Sequence, residues 1–273
     1  MESWRLLPLE ELDGSENMAV DEAVLRETIL RGGPPTLRLY QWRRPVVTIG
    51  YGQDIDSDVN RPFCLEHDID IVRRPTGGKA VYHEADLTYA VVAAQSWPPF
   101  TTDVVTTYRV IADCLIGGLE KIGIRAGLAE RRHPSRTDPL KSCCFAVPFR
   151  NELLVHGAKI CGSAQLRAHD CFLQHGSILI DFDPSMTMRV LSKNSPDEHE
   201  WIDYLNRAVT SVRRQEGRFA GEEILARCIR ESFEERMEIR LRPGALTPTE
   251  ESLKQELLEG KYRTERWNRE GRL

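Results

Sequence analysis

The chain has 273 residues, 41% hydrophobic and 29% charged, with 19 glycines and 15 prolines. These proportions exclude a disordered, collagen-like or coiled-coil chain, and the length buries a sizeable core in one large domain or two small ones. A net charge of −5, from 37 basic and 42 acidic residues, argues against a broad nucleic-acid surface.

Trp4 to Leu7 reads as a first short strand and Glu16 to Arg31 as a helix, stopped by Gly32, Gly33, Pro34 and Pro35. Leu37 to Trp42 and Val46 to Tyr51 are β-rich and separated by Arg43, Arg44 and Pro45, which predicts a hairpin. A short helix is predicted over Val59 to His67. Strands follow over Ile69 to Arg74, Ala80 to His83 and Leu87 to Ala93, then a long helix over Asp103 to Ile122. Glu130 to Ser142 is polar, contains two prolines and reads as a surface loop.

Glu152 to Val155, Ala158 to Arg167 and Cys171 to Ile180 are strands joined by short turns. From about residue 183 the pattern turns helical: Met186 to Leu191, His199 to Gln215, Gly221 to Arg236 and Thr249 to Gly260, with one late strand over Met237 to Leu241. A strand-rich body followed by a helical end is α+β. No linker stands out, so residues 1–273 read as a single domain. The stretch after Pro243 is short for a second one.

Lysine is scarce, with seven residues: Lys79, Lys121, Lys141, Lys159, Lys193, Lys254 and Lys261. A lysine in a conspicuous setting is therefore less readily surface filler. Met1 to Gly14 lacks a secretory pattern, and the longest apolar runs are too short to span a bilayer. The seven cysteines then read as reduced thiols of a cytoplasmic protein rather than a disulfide framework.

There is no G-x-G-x-x-G, no H-E-x-x-H and no G-x-S-x-G. Gly77-Gly78-Lys79-Ala80 is not a P-loop, because Arg73 stands where the first glycine belongs and no Ser or Thr follows Lys79. Cys143, Cys144, Cys161, His169, Cys171 and His175 are close in sequence, but their spacing matches no usual zinc pattern.

Three constellations remain. In the first, Arg73 and Arg74 end a strand, Pro75 and Thr76 follow, and Gly77-Gly78 leads towards His83. Adjacent glycines let a backbone approach a ligand and present N–H groups to it, and the arginines suit carboxylate or phosphate. The alternative is a plain hairpin with exposed arginines. In the second, Cys144 follows the polar loop and Lys159 opens a hairpin arm. A nearby cation would favour a nucleophilic thiolate, whereas the alternative is a small buried thiol and a surface lysine. The third comprises Lys159, Gly162, Ser163, Gln174, His175, Gly176 and Ser177 on neighbouring strands. It lines a narrow slot, or else is ordinary close-packed sheet.

Taken together, Arg73 through His83, Leu87-Thr88-Tyr89, Lys159 through Gln165, Gln174 through Ser177, Asn17 through Ala23 and Trp267-Asn268 resemble the biotin/lipoate A/B protein ligase superfamily. Within it the closest likeness is to octanoyltransferases of the LipM type. Ser142-Cys143-Cys144-Phe145 stands where these carry an acyl-accepting cysteine, 15 positions before the lysine, so Cys144 takes that place and Cys143 is an extra neighbour. Ala146 replaces an expected acidic residue, and Arg150-Asn151-Glu152-Leu153 is similar to a ligase motif.

The resemblance implies a central mixed β-sheet with flanking helices. It implies that Cys144 takes the octanoyl group from octanoyl-acyl carrier protein as a thioester, and that a lysine of a lipoyl domain, such as glycine-cleavage H protein, receives it. Lys159 would lower the Cys144 pKa. Arg73, Arg74, Thr76, Gly77, Gly78, His83, Gly162, Ser163 and His175 would bind substrate, with no cofactor, metal, nucleic acid or membrane involved. The alternatives are an ATP-dependent lipoate–protein ligase forming lipoyl-AMP, a non-catalytic subunit that binds acylated proteins, and a zinc-binding protein.

Overall fold

The computed structural model describes residues 2–100, 103–129, 152–191, 198–215 and 221–271. In chain order the first part comprises β1 (Glu2–Leu6), β2 (Glu10–Leu12), α1 (Gly14–Arg31), β3 (Thr36–Trp42), β4 (Val46–Ile49), α2 (Ile55–Asp58), α3 (Arg61–Glu66), β5 (Asp70–Arg73), β6 (Val81–His83), β7 (Asp86–Ala94) and α4 (Val104–Lys121). The remainder comprises β8 (Gly127–Leu128), β9 (Leu153–Val155), β10 (Ala158–Ala168), β11 (Cys171–Leu179), α5 (Pro184–Leu191), α6 (Glu198–Ala208), α7 (Val212–Gln215), α8 (Glu222–Met237), β12 (Ile239–Pro243), α9 (Pro248–Leu257), a π-helical turn (Leu258–Tyr262) and α10 (Glu265–Glu270).

A mixed nine-stranded sheet runs β12-β1-β3-β7-β11-β10-β9-β8, with β2 beside β3. β1, β3 and β12 run parallel where they pair, and the pairs from β3 to β8 are antiparallel. Both faces are covered, which explains the nearly unbroken apolar run of β7. Leu87, Tyr89, Val91 and Ala93 pack towards α4 and α8, while Ala90 and Val92 pack towards α1.

α1 starts on a capping box, with Asp13 accepting from the Glu16 amide and Glu16 answering at the Asp13 amide. It is buried along most of its length because the C-terminal segment covers its outer side. Leu257, Leu258, Tyr262 and Trp267 share one core with Met18, Val20 and Val24.

β4 does not pair with β3, so the hairpin expected across Arg43-Arg44-Pro45 is not formed. β4 is instead the centre of a second sheet, β5-β4-β6, parallel to β5 and antiparallel to β6. Its residues are buried on both sides: Val46 joins the core around α1, and Val47 and Ile49 join a third core with α5 and α6. A strand that is apolar on both faces is satisfied between two layers and not at a sheet margin. Gly77-Gly78 accordingly carries the chain from β5 across the end of β4 to β6 and is not a hairpin turn.

The predicted helix over Val59 to His67 is the shorter α3, and a separate short helix, α2, which lies outside the predicted range, precedes it. The predicted helix over His199 to Gln215 breaks between α6 and α7. There Val209 bridges to the Lys159 backbone, and the Thr210 amide donates to the Lys159 carbonyl at 2.9 Å. A tertiary hydrogen bond to β10 replaces helix propagation. β2 and β8, three and two residues long, carry too little pattern to be foreseen.

Candidate functional site

A narrow cavity lies where the two sheets meet. Lys159 and Gly162 of β10, and His175, Gly176 and Ser177 of β11, form one wall. Thr48 of β4, Arg74, Gly78 and His83 form the opposite one. The apolar side chains of Met18, Tyr40, Trp42 and Val81 also line it.

Lys159 is 0% exposed, and its Nζ donates to Glu152 Oε1 at 2.5 Å. The β9–β10 register slips between Lys159 and Cys161, a bulge that breaks the side-chain alternation. Cys161 therefore points into the α4 core, while the Lys159 chain lies across Gly162. A Cβ on Gly162 would stand 2.9 Å from both Lys159 Cε and Nζ. Burial pushes the Cys161 thiol up to about 12, so it stays a protonated structural thiol.

Each histidine is locked at both ring nitrogens. His175 Nδ1 lies 3.0 Å from Asp21 Oδ2, and its Nε2 lies 2.7 Å from the Thr76 hydroxyl. The carboxylate only accepts, so Nδ1 carries the proton and the Thr76 hydroxyl donates to Nε2 of the neutral ring. Burial holds His175 below its ordinary pKa, against the hydrogen bond and charge of Asp21. For Asp21, burial pushes upward, but His175 and Arg38 outweigh it and hold the carboxyl low. Arg38 donates to Asp21 Oδ1 at 2.8 Å, and Tyr40 donates to Oδ2 at 3.0 Å.

His83 repeats the pattern with Asp86 Oδ2 at 2.8 Å, Thr48 Oγ1 at 2.9 Å and the Trp42 ring stacked at 4.3 Å. Burial pushes the Asp86 carboxyl up, but its contacts with His83, Ser177 and Thr88 hold it low.

The two arginines divide. Arg74 lines the cavity and shapes the loop, donating to the carbonyls of Thr48, Gly77 and Lys79 at 3.1, 2.8 and 2.8 Å. Gly78 has φ +96, open to glycine, and a Cβ there would meet Arg74 Nη2 at 2.7 Å. Gly50 is small for the same loop, since a Cβ would stand 1.9 Å from the Gly78 carbonyl oxygen.

Arg73 turns elsewhere. It donates to six carbonyls, of Gly50, Tyr51, Gln53, Trp267, Asn268 and Arg269, while its own carbonyl accepts from Trp267 Nε1. Its guanidinium staples α10 to β5 and is not part of the cavity wall, contrary to the role expected from sequence.

Of the remaining expected residues, Ser163 borders the cavity, and its hydroxyl pairs with Tyr89 Oη at 2.6 Å. Thr76 acts through His175, and Gly77 through its carbonyl to Arg74. Cys143 and Cys144 lie outside the described residues. Among those described, no group of three His, Cys, Asp or Glu side chains is placed to hold a metal, and no helix is long and apolar enough to cross a membrane.

Asp21, Asp86, Thr48 and Glu152 were not assigned roles from sequence. Asp21 was inside the matched run Asn17 through Ala23, but its partner is 154 positions away.

Residues 13–234 match the lipoyl protein ligase A/B catalytic domain family. Octanoyltransferase LipM of Carboxydothermus hydrogenoformans is 37% identical over 274 residues, covering 98% of each chain. Octanoyltransferase LipM of Bacillus subtilis is 33% identical over 273 residues, also covering 98% of each. Among solved structures, lipoate-protein ligase A bound with ATP shares 28% identity at a TM-score of 0.82, covering 98% of both chains. The bi-partite lipoate protein ligase of Thermoplasma acidophilum shares 27% at 0.81, covering 98% of this chain and 96% of that one.

Two outcomes are expected. Arg73→Lys retains the charge but loses most of the fork of donors, so unfolding free energy falls by about 2–3 kcal/mol in urea denaturation. An unchanged midpoint would remove the staple. For His175, the unfolded ring binds a proton near its ordinary pKa of about 6.5 and the folded ring only at lower pH. Its contribution to stability is therefore complete above about pH 6.5 and shrinks as pH falls below it. Wild type is expected to lose more stability between pH 7 and 5.5 than His175→Gln does. Equal losses would refute a neutral buried His175.

Proposed function

The chain belongs to the lipoyl protein ligase A/B catalytic domain family, and from that membership we propose that it is a cytoplasmic octanoyltransferase of lipoate biosynthesis, with residues 1–273 forming one catalytic domain. The donor is octanoyl-acyl carrier protein and the acceptor a lysine of a lipoyl domain, glycine-cleavage H protein first. The observation that carries this reading is full-length similarity to proteins named octanoyltransferase, at 37% and 33% identity over 98% of the chain.

In this reading the Cys144 thiolate attacks the carbonyl carbon of the donor thioester. A new C–S bond forms, the old one breaks, and the carrier's thiolate leaves and takes up a proton. The acceptor amine then attacks the enzyme thioester, the C–N bond forms, and the Cys144 sulfur departs. The amine's surplus proton goes to solvent or back to that sulfur. Thioester exchange is nearly isoenergetic and amide formation from a thioester runs downhill, so neither step calls for ATP.

The Lys159 ammonium favours the thiolate and faces the acyl carbonyl. Backbone N–H groups at Gly77, Gly78 or Gly162 receive the oxyanion. The apolar wall of Met18, Tyr40, Trp42 and Val81 suits an alkyl chain, each buried methylene contributing roughly 0.8 kcal/mol. Arg74, Gly78, His83, Ser163 and His175 border this space, and Thr76 and Gly77 support it.

A second reading, an ATP-dependent lipoate–protein ligase, is favoured by the likeness to the ligase bound with ATP, at a TM-score of 0.82. Intact-protein mass spectrometry after mixing with octanoyl-acyl carrier protein, without ATP, separates the two. An octanoyl adduct is expected on wild type, absent from Cys144→Ala, and removed by hydroxylamine or H protein. Lys159→Ala is expected to slow its formation roughly 100-fold. Loss of the adduct in Cys143→Ala but not Cys144→Ala would move the nucleophile by one residue. No adduct, with H protein modified only when ATP and lipoate are supplied, would establish the ligase.

A further inference from the structure

We infer that Glu152 is a positioning residue that holds the Lys159 side chain in the cavity and keeps its ammonium protonated throughout the catalytic cycle. The role in a catalytic cycle rests on the transferase reading. The pair itself stands on the geometry.

Lys159 has no exposed surface and Glu152 is 6% exposed, with 2.5 Å between Nζ and Oε1. A buried ammonium without a counter-charge gives up its proton readily, because desolvation disfavours the charged form. A carboxylate at hydrogen-bond distance reverses that preference.

The placement is built in at several points. Glu152 immediately precedes β9, and Lys159 is seven residues on in the antiparallel partner β10. The bulge between Lys159 and Cys161 sends the lysine over Gly162, where a Cβ would leave only 2.9 Å to Nζ. The α6–α7 junction then ties the Lys159 backbone in place.

Among the described residues, the other ionisable groups lining the same cavity are His175 from β11, His83 from β6, Tyr40 from β3 and Arg74 from the loop after β5. Cys161 is the next titratable residue on Lys159's own strand, and the α6–α7 junction meets the Lys159 backbone through Val209 and Thr210. Asp21 and Asp86 are engaged with His175 and His83. Arg74 adds positive charge, which disfavours a second cation nearby, and the Glu152 carboxylate opposes that effect at Lys159.

The chemistry makes this consequential. In the transferase reading the Cys144 thiolate of the free enzyme would itself support the ammonium. In the acyl-enzyme that sulfur is an uncharged thioester, and Glu152 supplies the counter-charge in its place. The ammonium is thus present when the oxyanion and the departing thiolate of the second step develop.

Lysine 13Cε resonances, followed from pH 6 to 11 with Lys159→Arg for assignment, test the pair without substrate. Wild-type Lys159 is expected to remain protonated beyond pH 9. Glu152→Gln should lower its midpoint by about two pH units or more, and Glu152→Asp by less. A wild-type midpoint below pH 8, or the same midpoint in Glu152→Gln as in wild type, would overturn the inference. If Glu152→Gln fails to fold, wild type and Glu152→Asp decide it in the same way.

Single-turnover transfer from octanoyl-enzyme to H protein adds a readout that a merely structural role would not move. The wild-type rate should rise from pH 7 to 9 as the acceptor amine deprotonates, whereas the Glu152→Gln rate should level off over that range, because loss of the Lys159 proton offsets the gain in free amine. Two parallel profiles would reduce Glu152 to a structural contact. An absent octanoyl adduct on wild type would sink the transferase reading instead, while the lysine titration still decides the pair.

Discussion

Lys159 carries a charge at a place with no solvent exposure, and much of the surrounding structure answers that demand. Removing an ammonium from water costs several kcal/mol, which a carboxylate offsets only when the geometry is tight. Glu152 meets the ammonium at 2.5 Å, and the two lie on adjoining strands of one hairpin. The bulge, the missing Cβ at Gly162 and the break between α6 and α7 all serve to place this one side chain. The first sets its direction, the second makes room, and the third holds its backbone.

The same cavity is bordered by two histidines that are spent on structure at both nitrogens. Asp21–His175–Thr76 joins α1, the main sheet and the glycine loop. Asp86–His83–Thr48 joins the main sheet to the small one. Buried polar groups in such networks are costly when unpaired and rigidifying when paired. The glycine loop is therefore gripped from two sides, by Thr76 through His175 and by Arg74 at the carbonyls of Gly77 and Lys79. A ligand entering the cavity meets walls whose hydrogen bonds are already arranged, which favours preorganised over induced recognition.

The C-terminal segment belongs to this arrangement although it lies far along the chain. Arg73 reaches the carbonyls of Trp267, Asn268 and Arg269, and the Trp267 indole returns a hydrogen bond to the Arg73 carbonyl. Lys261 and Tyr262 both donate to Glu22 of α1. The adjacent arginines thus serve different ends, Arg73 securing the tail of the chain and Arg74 the cavity. Alternation along β5 and the loop beyond it sends neighbouring side chains to opposite sides, a consequence of strand geometry.

Much was legible in the amino-acid sequence by itself. The α+β class, the strands β7, β10 and β11, the helices α1 and α4, and the grouping of Lys159, Gly162 and His175 about one narrow slot all follow from local periodicity, end signals and a family resemblance. These are short-range properties, written within a few residues of where they act. Partnership across the chain was not. β4 left its expected hairpin because it is apolar on both faces, the helix after His199 broke because Thr210 bonds to Lys159, and Asp21 and Asp86 gained meaning only beside their histidines. Such choices depend on which buried donor finds which acceptor once the two sheets close, and that competition is settled in three dimensions.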